Sequence, residues 1–236
     1  LVVCLTYAPS LLSLPALRRT DVPIVIWNTQ ELFSVGSGLE GADLTANHGV
    51  HGTQDLGNVL LRSGVYFEYV TSHLRDPNAL ERLSDALTAA AAISRLRTAR
   101  IGLMGHPFPG MGDLGLDTTH MAATLGCQWL NLSAAELNRR AVAVAEEDVS
   151  RIVADYRQSY DCDEKVTEAD LVDAGRVELA LRSMVGEHRL NALSYQFLAL
   201  GDDGRTMTLP FVAASRLMAD GIGFGGEGDL IAAAGT

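Results

Sequence analysis

Positive charge is scarce in this sequence. Only 18 Lys and Arg stand against 29 Asp and Glu, for a net charge of -11. Such a chain repels a phosphate backbone unless its basic residues are segregated into a patch, and none is visible, so nucleic acid is not an expected partner. Cysteine is also sparse. Cys4, Cys127 and Cys162 are odd in number, widely spaced and form no C-x-x-C. That excludes a disulfide framework and a zinc knuckle and makes a reducing cytoplasm the expected location. Long apolar runs are missing as well. A run such as LTAAAAI, residues 87–93, falls far short of the roughly 20 residues that cross a bilayer, so no membrane partner is expected. LVVCLTYAPS lacks the basic start of a signal peptide. No G-x-S-x-G occurs, so a serine hydrolase is not supported.

What the chain does have is a globular balance, 47% hydrophobic and 20% charged over 236 residues, enough for one large or two small domains. Short β-rich runs alternate with helical patterns, which predicts parallel strands joined by crossover helices. The strand candidates are 1–7, 23–28, 65–70, 100–105, 127–133 and 191–197, with the apolar character of a sheet covered on both faces. Helices are expected near 10–19, from about Thr53, after the Asp76-Pro77 pair, over 133–160 behind a capping box of Ser133 and Glu136, and over 167–185. The β-α alternation restarts near Arg97–Arg100, which marks the best boundary.

Two segments match G-x-G-x-x-G. Gly110, Gly112 and Gly115 follow a strand and precede a helix, the order a pyrophosphate site needs. Against it, HPFP displaces the first glycine and no acid ends the next strand, where ribose recognition needs one. A flexible loop at the carboxyl edge of a sheet is the plainer reading. The second match, Gly221, Gly223 and Gly226, follows the helical run PFVAASRLMADG. Gly221 reads as a helix C-cap, and the other glycines allow close backbone approach around Glu227 and Asp229. Carboxylates so placed suit a hard divalent cation or acid/base work on a polyhydroxy substrate. The alternative is a tight turn in which Asp229 caps a helix over LIAAA. His48 and His51 form an H-x-x-H pair in a Gly-bearing loop. Two ligands do not complete a metal site, and plain polar contacts are the alternative. Thr53 reads as the N-cap of the helix that follows.

LPFVAASRLMADGIGFGGEGDLIAAA resembles the segment of L-arabinose isomerases in which a helix ending L-M-A-x-G leads into G-F-G-G-E-G-D. HGTQDLGNVLLRSG is similar to the family's A-H-G-x-R-E-F-G, with His51 and Gly52 on its His-Gly pair, Asp55 on its Glu and Gly57 on its Gly. Weaker similarity runs through LVVCLTYAPS, ARIGLMG and the helix bearing Glu178. The related L-fucose isomerases share the E-G-D element and form the close alternative. The resemblance implies a cis-enediol aldose–ketose isomerase that uses a divalent metal, usually Mn2+. Glu227 would be metal ligand and acid/base, and His51, His48 and Phe224 would contact the monosaccharide. It also implies a homo-oligomer, because the family's His at position 51 reaches a neighbouring subunit's sugar pocket.

Departures are His48 where the family usually has Gln, and Gln54, Asp55 and Leu56 in place of R-E-F. They bear on the preferred sugar. The family's second catalytic Glu and two metal-binding His have no counterpart here. The expectation is a fragment, inactive alone, of fold class α/β with two consecutive doubly wound, mostly parallel three-layer αβα domains. Residues 1–98 would be the remainder of an N-terminal domain, and 99–236 a central domain ending in the metal-binding E-G-D turn. A non-catalytic sugar-binding module of two α/β lobes is the other reading, and a nucleotide-dependent oxidoreductase using Gly110–Gly115 a third.

Overall fold

Each of the six β-rich runs contains a strand, and every strand pairs in parallel. Parallel neighbours need crossover connections, and helices supply them. The computed structural model describes residues 1–201 and 206–236. Its internal contacts fall into two units, Leu1–Arg95 and Leu96–Thr236.

In the first unit, β1 (Val2–Cys4), β2 (Ile24–Asn28) and β3 (Phe67–Thr71) form a sheet in that order. Short helices α1 (Leu14–Leu17) and α2 (Gly41–Ala46) and the longer α3 (Gly49–Arg62) connect them. Cys4, Ile24 and Ile26 bury one sheet face against Leu56 and Leu60 of α3. Helix α4 (Ala79–Thr98) carries the chain across the unit boundary.

The second unit contains β4 (Arg100–Met104), α5 (Thr118–Leu125), β5 (Gln128–Leu132), α6 (Ala134–Ala143), α7 (Glu146–Ser159) and α8 (Glu168–His188). After these come β6 (Ala192–Tyr195), α9 (Phe197–Gly201), α10 (Phe211–Ala219), β7 (Gly223–Gly226) and α11 (Leu230–Gly235). The strand order is β5-β4-β6-β7. One core lies between this sheet and α6, α8 and α10, built on Met104, Leu137, Leu181, Leu193 and Leu217. The other lies on the opposite face, with Ile101, Leu103, Met121 and Leu230 under α5 and α11. Two cores on two faces make the αβα sandwich. The chain builds outward from β4 in one direction to β5 and in the other to β6, so the topological switch point lies between β4 and β6. Ligands in such sheets bind outside the carboxyl ends at that point.

Local structure departs from the sequence reading in several places. GFGG, for which the glycines suggest close backbone approach or a tight turn, is strand β7. The segment 133–160 is two helices, broken at Val144–Ala145, where Arg176 of α8 donates to the Val144 carbonyl at 3.1 Å. Ser133 caps α6 by accepting the Glu136 N–H, but Glu136 does not reciprocate, because its carboxylate holds Arg140 at 2.6 Å. Asp76 closes a turn with Asn78 ahead of α4, which starts only at Ala79. Reciprocal boxes lie instead at α8, between Thr167 and Asp170, and at α2, between Glu40 and Asp43.

Helix α8 buries a charge. Glu178 has no exposed surface, and its Oε1 accepts from the Arg182 Nε at 2.7 Å and the Arg216 Nε at 2.9 Å, while its Oε2 accepts from the Tyr156 hydroxyl at 2.6 Å. Arg216 also pairs with Asp155, and Arg182 with Asp220. Taking an ion out of water costs several kcal/mol, and this partner set offsets that. Burial pushes the Tyr156 hydroxyl well above its ordinary 10.0, and the bond it donates to Glu178 raises it further. Burial raises Tyr195 in the same sense. Above about pH 10 the unfolded chain releases these protons while the folded chain keeps them, so stability falls as pH rises past that value. Urea midpoints measured across the alkaline range should fall steeply in the wild type. In Tyr156→Phe/Tyr195→Phe the fall should be visibly shallower, and an unchanged slope contradicts this account.

Candidate functional site

The route from α10 into β7 has no slack. The Gly221 and Ile222 amides bond back to the carbonyls of Met218 and Leu217, both at 2.9–3.0 Å, and Gly221 takes a left-handed φ of 84°. This is the Schellman closure that a C-terminal glycine permits. β7 then lies directly beneath α11. A Cβ on Gly225 would sit 2.2 Å from the Asp229 carbonyl oxygen and 2.7 Å from the Ala233 nitrogen, whereas one on Gly226 would meet nothing within 4 Å. Gly225→Ala should therefore cost about 1–3 kcal/mol or more by overpacking against backbone, and Gly226→Ala less than about 0.5 kcal/mol. Chemical denaturation of the two variants checks the difference, and equal losses would mean that the glycines do not serve close approach.

Past Gly226 the chain reverses on two left-handed residues, Glu227 at φ 59° and Gly228 at φ 86°. A side chain in that region costs roughly 1–2 kcal/mol, so something must hold Glu227 there. Three contacts do. The Phe108 N–H donates to the Glu227 carbonyl at 3.0 Å, the Asp229 N–H returns to Gly226 at 2.9 Å, and Gly228 packs so closely on His106 and Pro107 that a Cβ would lie 2.6 Å from the Pro107 Cα. The loop leaving β4 thus meets the turn leaving β7 at the carboxyl edge of the sheet. Glu227 is exposed there and accepts no side-chain hydrogen bond from any described residue. Backbone strain of this kind is characteristic of functional positions. Asp229 is otherwise engaged, capping α11 through the Ala232 N–H at 2.8 Å as the sequence reading expects. Phe224 is half-buried, its ring 5.1 Å from that of Tyr195, and its N–H donates to the Thr236 hydroxyl at 2.9 Å.

In the first unit, α3 begins at Gly49, four residues before the expected cap. His48 is the residue preceding the helix and His51 lies in its first turn. Thr53 does not cap; it sits inside α3 with its hydroxyl on the Gly49 carbonyl at 2.9 Å. Glycine is a poor helix former, but position 49 faces the ends of β1 and β2, where a Cβ would fall 2.4 Å from the Cys4 oxygen and 2.1 Å from the Thr29 oxygen. Tertiary approach overrides propensity here. The two imidazoles share a hydrogen bond at 3.3 Å between the His51 Nδ1 and the His48 Nε2. Tyr7 stacks on His51 with ring centroids 4.7 Å apart. The sequence reading missed Tyr7, whose one signal is its place just beyond β1. Of the three substituted motif positions, Gln54 is exposed, Asp55 accepts from the Ser10 N–H and hydroxyl at 2.9 and 3.1 Å, and Leu56 is core. Only Gln54 is left free to face a ligand among those three.

The Gly110–Gly115 loop offers no phosphate cradle. Asp117 occupies the first amides of α5, accepting from Thr119 and His120 at 2.9 and 3.0 Å, and those N–H groups are what a pyrophosphate would need. Among the described residues no group of three or more His, Cys, Asp or Glu comes together to hold a metal ion. Glu227 supplies a single carboxylate, so these residues do not by themselves form a divalent-metal donor set.

A family model described as the L-arabinose isomerase central domain matches residues 116–235, the span from just before α5 through the Glu227 turn. The chain belongs to the L-arabinose isomerase family. The L-arabinose isomerase of Acidothermus cellulolyticus is 30% identical over 230 residues, covering 95% of this chain and 45% of that protein. That of Mycolicibacterium smegmatis is 27% identical over 232 residues with the same coverage, and that of Geobacillus kaustophilus 26% over 238 residues, covering 97% and 47%. The chain spans a little under half the length of these relatives. Within the family match lie β7 and Glu227, while the Tyr7, His48 and His51 cluster precedes it.

Proposed function

We propose that the protein is an aldose–ketose isomerase of the L-arabinose/L-ribulose type, with L-fucose/L-fuculose the close variant. The observation that supports this most is Glu227, an exposed carboxylate pinned by its own backbone at the carboxyl edge of a parallel sheet. The reaction moves one proton from C2 to C1 and another from O2 to O1, through a cis-enediol, with no net oxidation. A carboxylate fixed beside the sugar can take the C2 proton and return it to C1. In the proposal Glu227 holds that proton, its strained backbone keeping the carboxylate from folding back onto the turn. A bound divalent metal, manganese first, would stabilise negative charge developing on the sugar oxygens, and Glu227 is the one ligand this chain is proposed to contribute.

His51 and His48, held by one another and by Tyr7, are proposed to contact sugar hydroxyls from the edge of the first unit's sheet. The proposal includes an oligomer in which His51 of one copy serves a neighbour's site. The test is conversion of L-arabinose, L-fucose and D-galactose to ketose by the full-length protein with Mn2+ present. Ketose from one of them supports the reading and names the sugar; none from any of the three sinks it.

A further inference from the structure

The glycines that let β7 lie under α11 leave it with one side chain, that of Phe224, to define its register. Gly-rich strands specify register weakly, yet Glu227 follows β7 immediately and depends on that register. The strand is held from elsewhere, at Gly225 by the Ser194 hydroxyl and α11, and at its start by α10, the element joined to it. Only Gly221 and Ile222 separate the C-cap of α10, Asp220, from β7.

We propose that Glu178 is a positioning residue for the Glu227 turn, fixing α10 through Arg216 and Arg182 and thereby setting where β7 begins. The proposal rests on the reading of Glu227 as the proton carrier. Arg216 lies in the middle of α10 and donates from Nε to Glu178 and from Nη2 to Asp155 of α7. Its guanidinium carbon stands 5.3 Å from the Tyr156 ring centroid and 5.9 Å from that of Tyr160. Arg182 binds the same Glu178 oxygen through Nε and reaches the C-cap of α10 with Nη1, 2.7 Å from Asp220 Oδ2. α10 is thus tied to α8 at two points, the second adjoining the Schellman glycine.

Adhesion alone does not require this arrangement. An apolar set of similar volume in place of a buried ion pair is often as stable or more so. What the ionic version adds is direction, because a guanidinium fork donates to its carboxylates in one orientation, where packed methylenes can slide.

Two reporters of the turn are the Phe108 amide, bonded to the Glu227 carbonyl, and the Asp229 amide, bonded to Gly226. Hydrogen exchange of the 236-residue chain would be compared for wild type, for the triple variant Glu178→Met/Arg182→Met/Arg216→Met made together with Tyr156→Phe so that no buried hydroxyl loses its acceptor, and for Arg216→Lys. The combined variant is expected to keep its melting temperature while Phe108 and Asp229 exchange at least tenfold faster, with the ladder amides of β4 and β5 unchanged. Arg216→Lys keeps the charge but not the fork, and is expected to show the same local acceleration should the combined variant fail to fold. Acceleration spread evenly over all amides, or none at the two reporters, overturns the proposal. Because exchange needs no turnover, a chain that fails the sugar assay can still pass this one, and the reverse also holds.

Discussion

Glu227→Gln is expected to lower isomerase turnover by about 10²–10⁴-fold, the usual contribution of a positioned general acid/base, in the full-length protein. The amide preserves the size of the side chain, and the left-handed backbone at position 227 is held by main-chain contacts to Phe108 and Pro107 that do not involve the carboxylate. The fold should therefore be untouched, with a melting temperature within a degree or two of wild type by the scale for exposed substitutions. The informative comparison is kcat against KM. A proton carrier lost from the transition state lowers kcat and kcat/KM together, whereas a residue that only binds sugar raises KM at constant kcat. Near-normal turnover would remove Glu227 from the mechanism.

Glu178→Gln addresses stability. Glu178 is wholly buried, and the neutral amide would leave Arg182 and Arg216 facing each other across an oxygen that carries no charge. Breaking a buried pair by removing one partner costs about 3–5 kcal/mol. For a unit of this size that is a fall of roughly 10 °C in melting temperature. Restoring apolarity on both sides should recover most of the loss, which single-site substitution cannot do. If Glu178→Gln melts with the wild type, the carboxylate is not the hub of the network.

How far these features are legible in the sequence depends on the distance over which the physics acts. Ile24–Asn28 and Arg100–Met104 are strands because their own side chains make them so, and the run of β formers shows it. β7 is a strand because of what surrounds it. Ser194 donates to the Gly225 carbonyl at 2.6 Å, and α11 lies across it, but no residue in GFGG other than Phe224 favours extended backbone. The start of α3 was hidden for the same reason, since Gly49 answers to carbonyls of Cys4 and Thr29 that lie far away in sequence. Glu227 could be picked out because glycine on both sides is a local signal. The network around Glu178 could not, because Tyr156 and Arg216 are 22 and 38 residues away, and nothing in the helical pattern of α8 distinguishes a paired glutamate from a solvated one.

Among the described residues β7 pairs on one side only, with β6. Backbone left open along such a border is a template for docking another chain, and unwanted association is the usual penalty. Here the Thr236 hydroxyl takes the Phe224 amide, so one donor of that strand, three residues before the proposed catalytic Glu227, is already engaged by a side chain.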